Sequence, residues 1–131
     1  MEEQLLKSGE RINQLFSTDI KIIQNREVFS YSVDSVLLSR FPRFPKNGLI
    51  VDFCAGNGAV GLFASSRTKA KILSVEIQER LADMAERSVQ LNGLEEQMQV
   101  ICDDLKNMPA HIKGSKVDMI LCNPPYFKVD P

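Results

Sequence analysis

Little in this chain points to a membrane, a metal or a disulfide framework. No stretch approaches the roughly 20 consecutive apolar residues of a membrane span, and the chain opens on the acidic, polar Met1-Glu2-Glu3-Gln4. A membrane-spanning role is therefore not expected. There are three cysteines, Cys54, Cys102 and Cys122, widely spaced and each ending an apolar run. An odd count without C-x-x-C or Cys/His spacing argues against zinc ligation and disulfides, and no metal is expected. The cysteines read instead as small residues buried at strand ends. The expected compartment is the reducing cytoplasm. The one histidine, His111, sits in a polar, proline-containing stretch and reads as a surface residue. Neither sign of charge dominates: 16 basic against 17 acidic residues give a net charge of −1. No basic field announces a nucleic acid, although a near-neutral catalytic module can act on one when a neighbouring segment supplies the phosphate contacts. Repeats and low-complexity tracts are also lacking. What remains, 131 residues with 44% apolar content, is enough for a single core.

From Leu49 onward, short β-type runs alternate with helix-period segments. Leu49–Phe53 reads as a buried strand, Ala59–Arg67 as a helix, and Lys71–Glu76 as a second strand. Gln78–Asn92 reads as a longer helix with Leu81, Met84, Ala85 and Leu91 near one face and Gly93 just past its end. Met98–Cys102 and Val117–Cys122 read as third and fourth strands. Strands separated by helical crossovers imply a parallel sheet with helices on both faces. Upstream, Ile20–Gln24 and Val28–Tyr31 suggest a short hairpin around Asn25-Arg26-Glu27. A helix over Asp34–Phe41 follows, then a linker with Pro42, Pro45, Asn47 and Gly48. Residues 1–47 are thus expected to form a hairpin-and-helix extension to an α/β unit over 48–131.

Four chemical signals fall on one edge of that sheet. Asp52-Phe53-Cys54-Ala55-Gly56-Asn57-Gly58-Ala59-Val60-Gly61 joins the first strand to the first helix. Gly56 and Gly58 let the backbone turn tightly and let a ligand approach, while Gly61 permits close helix–strand packing. Glu76 ends the second strand, 18 residues after Gly58, where a carboxylate can accept both ribose hydroxyls of an adenosine moiety. Asp103-Asp104 follow the third strand. Asn123-Pro124-Pro125-Tyr126 follows the fourth, where two prolines fix φ, remove two donors and stop the strand. That turn leaves the Asn carboxamide and carbonyl oxygens as acceptors beside an aromatic ring, which suits a planar group carrying an NH2. In open α/β sheets this carboxyl edge is where ligands bind.

The Asn-Pro-Pro-Tyr turn resembles the NPPY signature of S-adenosylmethionine-dependent amino methyltransferases, which modify adenine N6, guanine N2 or glutamine side-chain nitrogens. Asp52-x-x-x-Gly56-x-Gly58 resembles motif I of Rossmann-like methyltransferases, whose loop passes under the methionine part of the cofactor. The resemblance implies that fold and an S-adenosyl-L-methionine cofactor held by Asp52, Ala55, Gly56, Gly58 and Glu76. It also implies an acidic residue accepting from the cofactor's adenine amino group: Asp104 by its place before Leu105, with Asp103 as the alternative. Asn123, Pro124 and Tyr126 take the catalytic positions, the first two as acceptors for the target amine and the third as a stacking ring. Gly9-Glu10-Arg11-Ile12 and Phe29 through Leu38 resemble the opening of bacterial transfer-RNA adenine-N6 methyltransferases acting beside the anticodon of a valine tRNA. On that resemblance Tyr31 and Asp34 flank the methionine end of the cofactor. Equally, Tyr31 reads as a strand residue packing on the sheet and Asp34 as a helix-start charge.

The expected activity is therefore methyl transfer to an exocyclic nucleobase amine, most specifically adenine N6 in tRNA. Guanine N2 of ribosomal RNA and glutamine N5 of a protein are the alternatives that share the cofactor. The chain supplies four parallel strands where methyltransferases of this class use seven. About half of the resembled fold is then missing, so this length is expected to leave the fourth strand as an edge open to self-association. A non-catalytic cofactor-binding or interaction fragment is the alternative of another class. A nicotinamide oxidoreductase would share the glycine loop and Glu76, but Asp52 disfavours a pyrophosphate and the Asn-Pro-Pro-Tyr turn has no use there.

Overall fold

The computed structural model describes residues 2–14, 19–25 and 43–122. Tyr31, Asp34, the expected arm Val28–Tyr31, the helix Asp34–Phe41 and the turn Asn123–Tyr126 lie outside them. Among the described residues a two-stranded hairpin, β1 (Arg11–Gln14) and β2 (Lys21–Gln24), precedes the α/β unit. The unit runs β3 (Leu49–Phe53), α1 (Ala59–Ser65), β4 (Lys71–Glu76), α2 (Glu79–Leu91), β5 (Met98–Cys102), α3 (Met108–His111) and β6 (Met119–Cys122).

The four later strands form one parallel sheet in the order β5-β4-β3-β6. The chain builds outward from β3 through β4 to β5, then returns to the other side of β3 to lay down β6. Strand order therefore reverses between β3 and β6, and the crevice at such a switch point is where open α/β sheets bind ligands. Pleating sorts the side chains by face. Ile50, Ile72 and Leu121 pack under α1 together with Val60, Leu62 and Phe63. Val51, Leu73 and Val75 face the other way, against Met108, Ile112 and Val117. α1 approaches its strands closely because Gly61 has no side chain: a Cβ there would fall 2.8 Å from Met98 Cε and 2.8 Å from Ser74 Oγ.

β2 is the expected strand near 20–24, but its described partner is Arg11–Gln14, a strand the sequence reading missed. The hairpin packs on the outer side of α2, where Ile23 is buried with Leu81 and Met84. Polar groups pin it there. Asn92, at the end of α2, accepts the Lys21 N–H at 2.8 Å and donates to the Lys21 carbonyl at 2.6 Å. Ser88 Oγ accepts the Ile23 N–H at 2.9 Å. Arg87, nearly buried, grips the Glu10 carboxylate with both terminal nitrogens and also bonds the Leu5 carbonyl and Asp83.

Two expectations need correction. β6 starts at Met119 rather than Val117, because Asp118 is diverted: its carboxylate accepts the Leu49 N–H at 2.9 Å. Cys102 and Cys122 are exposed and only Cys54 is partly covered. Both exposed cysteines lie on the outer strands of the four, where among the described residues no further strand shields them.

Candidate cofactor site at the carboxyl edge of the sheet

The glycine loop leaves β3 by a winding path, with positive φ at Cys54 (57°), Gly56 (57°) and Gly58 (91°). A non-glycine residue in the left-handed region costs on the order of 1 kcal/mol, so Cys54 is held there by its surroundings. The Ala55 N–H donates to Val75 O at 2.9 Å, and Gly58 N–H to Ala55 O at 2.9 Å. A Cβ on Gly58 would meet Ala85 Cβ of α2 at 3.1 Å. The loop is thus pressed between β4 and α2, with no room for side chains where the backbone turns.

Glu76 closes the next strand end. It is buried, and its two carboxylate oxygens divide their work: Oε1 accepts the Gly56 N–H at 2.8 Å and Oε2 the Gln78 N–H at 2.9 Å. The expected ribose acceptor is therefore also the post that holds the glycine loop. A carboxylate has about four lone-pair directions, so two remain for hydroxyls.

Asp103 and Asp104 behave differently. Asp103 Oδ1 accepts from the Asp104 N–H and the Asn107 side chain, both at 2.7 Å, and Oδ2 lies 2.8 Å from His111 Nε2. His111, with Asn107 and the Asp104 amide, draws the Asp103 carboxyl down to about 2. His111 is exposed, as its sequence suggested, and it is partnered. Asp104 Oδ1 accepts the Lys106 N–H at 3.0 Å and caps the short 3-10 turn Leu105–Asn107.

Asp52 is not at the rim. It is 1% exposed and shares a face with Ser74, its register partner on β4, beneath α1. Neither of its carboxylate oxygens, nor Ser74 Oγ, has a hydrogen-bond partner. Burial, then the charge of Glu76, pushes the Asp52 carboxyl up to about 8, and the nearby Gly61 amide offsets only part of this. The sign of the consequence follows. A raised folded-state value means that the folded chain keeps a proton which the unfolded chain releases near pH 4. This contribution is complete below that value and is lost as pH rises toward 8. Thermal unfolding should show the midpoint falling by roughly 10 °C from pH 5 to pH 8. In Asp52→Asn the decline should be mostly absent; an equally steep decline would show that Asp52 is ionised throughout.

Two residues here were missed from sequence. Ile77 and Leu105 are exposed aliphatic side chains, 61% and 41%, each directly after an acidic strand-end residue. Their strands leave the sheet side by side, since Glu76 pairs with Cys102 and Asp103 N–H donates to Glu76 O. The signal was the repeated acid–aliphatic pair, Glu76-Ile77 and Asp104-Leu105. A cavity of about 470 Å³ lies elsewhere, lined by Leu49, Lys71 and Met98 at the strands' amino ends and by Ile112 of the α3 face; none of the motif residues lines it. Among the described residues no cluster could hold a metal, and no helix is long and apolar enough to cross a membrane.

A model of the family described as methyltransferase small domain matches residues 19–130. The chain belongs to that family. The family match spans β2 through β6 and therefore every element that builds the edge just described. A tRNA1(Val) (adenine(37)-N6)-methyltransferase of Shewanella halifaxensis is 31% identical over 100 residues, covering 76% of this chain and 41% of the relative. The chain thus spans about two fifths of the length of that relative. In fold it is similar to a SAM-dependent methyltransferase from Agrobacterium tumefaciens, with a TM-score of 0.68 at 20% identity over 92% of this chain and 41% of that one. The Pyrococcus horikoshii protein TYW2, crystallised with MeSAdo, superposes with a TM-score of 0.64 at 19% identity, over 77% of this chain and 38% of that one. The fold is the Rossmann-like methyltransferase fold, represented by four strands of its parallel sheet.

Proposed function

We propose that this chain carries the cofactor-binding half and acceptor turn of an S-adenosylmethionine-dependent methyltransferase acting on adenine N6 of a transfer RNA. The observation that carries the reading is the switch point. The glycine loop follows β3, the Asn-Pro-Pro-Tyr turn follows β6, and these two strands are neighbours at the reversal of strand order. Cys122 pairs with Phe53, so the chain leaves β6 level with the start of the loop.

The residues present suit the cofactor. Gly56, in the left-handed region, gives the loop the turn that receives the methionine end, with Ala55 before it, and Gly58 lets the loop lie close against α2. Glu76 keeps lone pairs for the ribose hydroxyls. Asp104 retains one carboxylate oxygen for the adenine amino group, whereas both oxygens of Asp103 are engaged by its own loop, which favours Asp104 between the two. Ile77 and Leu105 offer apolar surface to the adenine faces. Asp52 lies just before the loop, buried beneath α1. Tyr31 and Asp34 are assigned to the methionine end on the family resemblance.

When bound, S-adenosylmethionine supplies an electrophilic methyl group on a sulfonium. The chain's part is positioning and electrostatics. The Asn123 side-chain oxygen and the Pro124 carbonyl accept hydrogen bonds from the target NH2. They draw its lone pair out of the ring and stabilise the positive charge that develops on nitrogen. Tyr126 stacks on the base, which must first leave its own stack at a cost of a few kcal/mol. The reaction takes place in the cytoplasm, with tRNA as partner.

Incubating the purified chain with labelled cofactor and total RNA, then digesting to nucleosides, tests this. Label in N6-methyladenosine from tRNA is the expected result. Label in N2-methylguanosine, or in protein glutamine, would reassign the acceptor. No transfer, together with no heat on titrating S-adenosylhomocysteine to millimolar concentration, would leave a non-catalytic module.

A further inference from the structure

We infer that Asn57 is a positioning residue: its carboxamide braces the glycine loop against β2, so that the amino-terminal hairpin sets the shape of the cofactor cradle. This rests on the cofactor reading above. The loop's inner side is held by Val75 and Glu76 of β4. On the side of the hairpin the described bond is from Asn57 Nδ2 to the Ile23 carbonyl at 3.2 Å, across 34 residues of sequence. A carbonyl oxygen can only accept, so the amide nitrogen must face Ile23. That orientation leaves Asn57 Oδ1 buried with no partner, in a side chain that is 0% exposed. An apolar side chain at this buried position would strand no oxygen. The position therefore uses the donor, not merely the bulk.

Ile23 is a suitable anchor because its buried side chain and the peptides before and after it are all held. Its N–H goes to Ser88 Oγ of α2, its carbonyl takes Asn57, and its side chain is fully buried with Leu81 and Met84. α2 begins just after Glu76, the loop's other support. The loop is thus wedged between two posts, one in the sheet and one in the hairpin. Three left-handed residues, at 54, 56 and 58, wind through this wedge, and such a path relaxes when one side is released.

Asn57→Asp keeps the outline and, once ionised, removes the donor; Asn57→Ala removes carboxamide and donor at any pH. Ser88→Ala frees the Ile23 N–H, which belongs to the preceding peptide, and leaves the bond between Asn57 and the Ile23 carbonyl in place. Two measurements are made on the full chain: calorimetric affinity for S-adenosylhomocysteine, and hydrogen exchange of the Gly56 and Gly58 amides. Both Asn57 variants should weaken affinity roughly tenfold, the order of one net hydrogen bond. They should also speed exchange at Gly56 and Gly58 by a similar factor, leaving Ser74 and Val75 unchanged. Ser88→Ala should lower the melting temperature and leave both readouts within about twofold. Unchanged loop exchange in the Asn57 variants, or equal acceleration by Ser88→Ala, overturns the inference. If the unmodified chain binds no S-adenosylhomocysteine, the cofactor reading fails separately and exchange alone decides this one.

Discussion

Replacing Asn123 with alanine should lower turnover by about 100- to 1,000-fold, the scale on which one electrostatic contact to a developing charge acts. The affinity for S-adenosylhomocysteine should stay within about twofold, as expected for a contact made to the acceptor and not to the cofactor. An exocyclic amine attacks poorly because its lone pair is shared with the ring. Acceptors aimed at both its hydrogens favour a pyramidal nitrogen, and the benefit grows as positive charge develops. An interaction stronger in the transition state than in the ground state appears in turnover and not in binding. The cofactor contacts proposed above come from other strand ends: the loop after β3, Glu76 on β4 and Asp104 after β5. Single-turnover rates and calorimetry on the same preparation separate the two effects. If affinity fell in parallel and turnover survived, the acceptor role of Asn123 would be wrong.

The carboxyl edge was legible because its signals are local. Leu49–Phe53 is apolar apart from Asp52, as suits a buried parallel strand, and glycines at fixed offsets announce the turn that follows. Glu76 and Asp104 end β-type runs, so their place at the rim follows once the runs are strands. The boundaries of α2 were readable within one residue at each end, from Gln78 at its start and Gly93 beyond its close. What failed were features that depend on partners far away in sequence. Arg11–Gln14 holds one aliphatic residue among polar ones and is a strand only because β2 and α2 lie beside it. Asp52 was placed against the ligand by motif. Pleating instead puts it on the same face as Ile50, under α1, where a charge finds no partner. Asn57 looked like a spacer between two glycines; its role needs Ile23, which no local pattern points to.

The same long-range logic makes Arg87 the position whose loss should most affect stability. Arg87 and Glu10 are 77 residues apart, with side chains only 11% and 3% exposed. The guanidinium takes both oxygens of Glu10, a bidentate arrangement that lysine could not reproduce. Arg87 in turn holds the Glu10 carboxyl below its ordinary range, chiefly through these bonds. Arg87→Ala leaves a buried carboxylate facing a void, a loss of about 3–5 kcal/mol when one partner of a buried pair is removed. At this chain length that corresponds to a melting temperature lower by roughly 10–20 °C. The damage should centre on the hairpin, because the Leu5 carbonyl also loses its donor. Acidification should narrow the gap. Glu10's depressed value gives the unmodified chain stability that is full above the usual carboxylate range and lost as pH falls through the lowered one, while the variant's Glu10 protonates readily and relieves its own penalty. The double variant Arg87→Met with Glu10→Leu should recover most of the loss, since apolar side chains of similar volume can replace a buried ion pair at little cost. Melting curves of the three proteins at pH 7 and pH 4 check both statements. A single variant within 2 °C of the unmodified chain, well inside the shift expected from 1 kcal/mol, would show the pair to be solvated and the hairpin to be held by its other contacts, through Ile23, Ser88, Asn57 and Asn92.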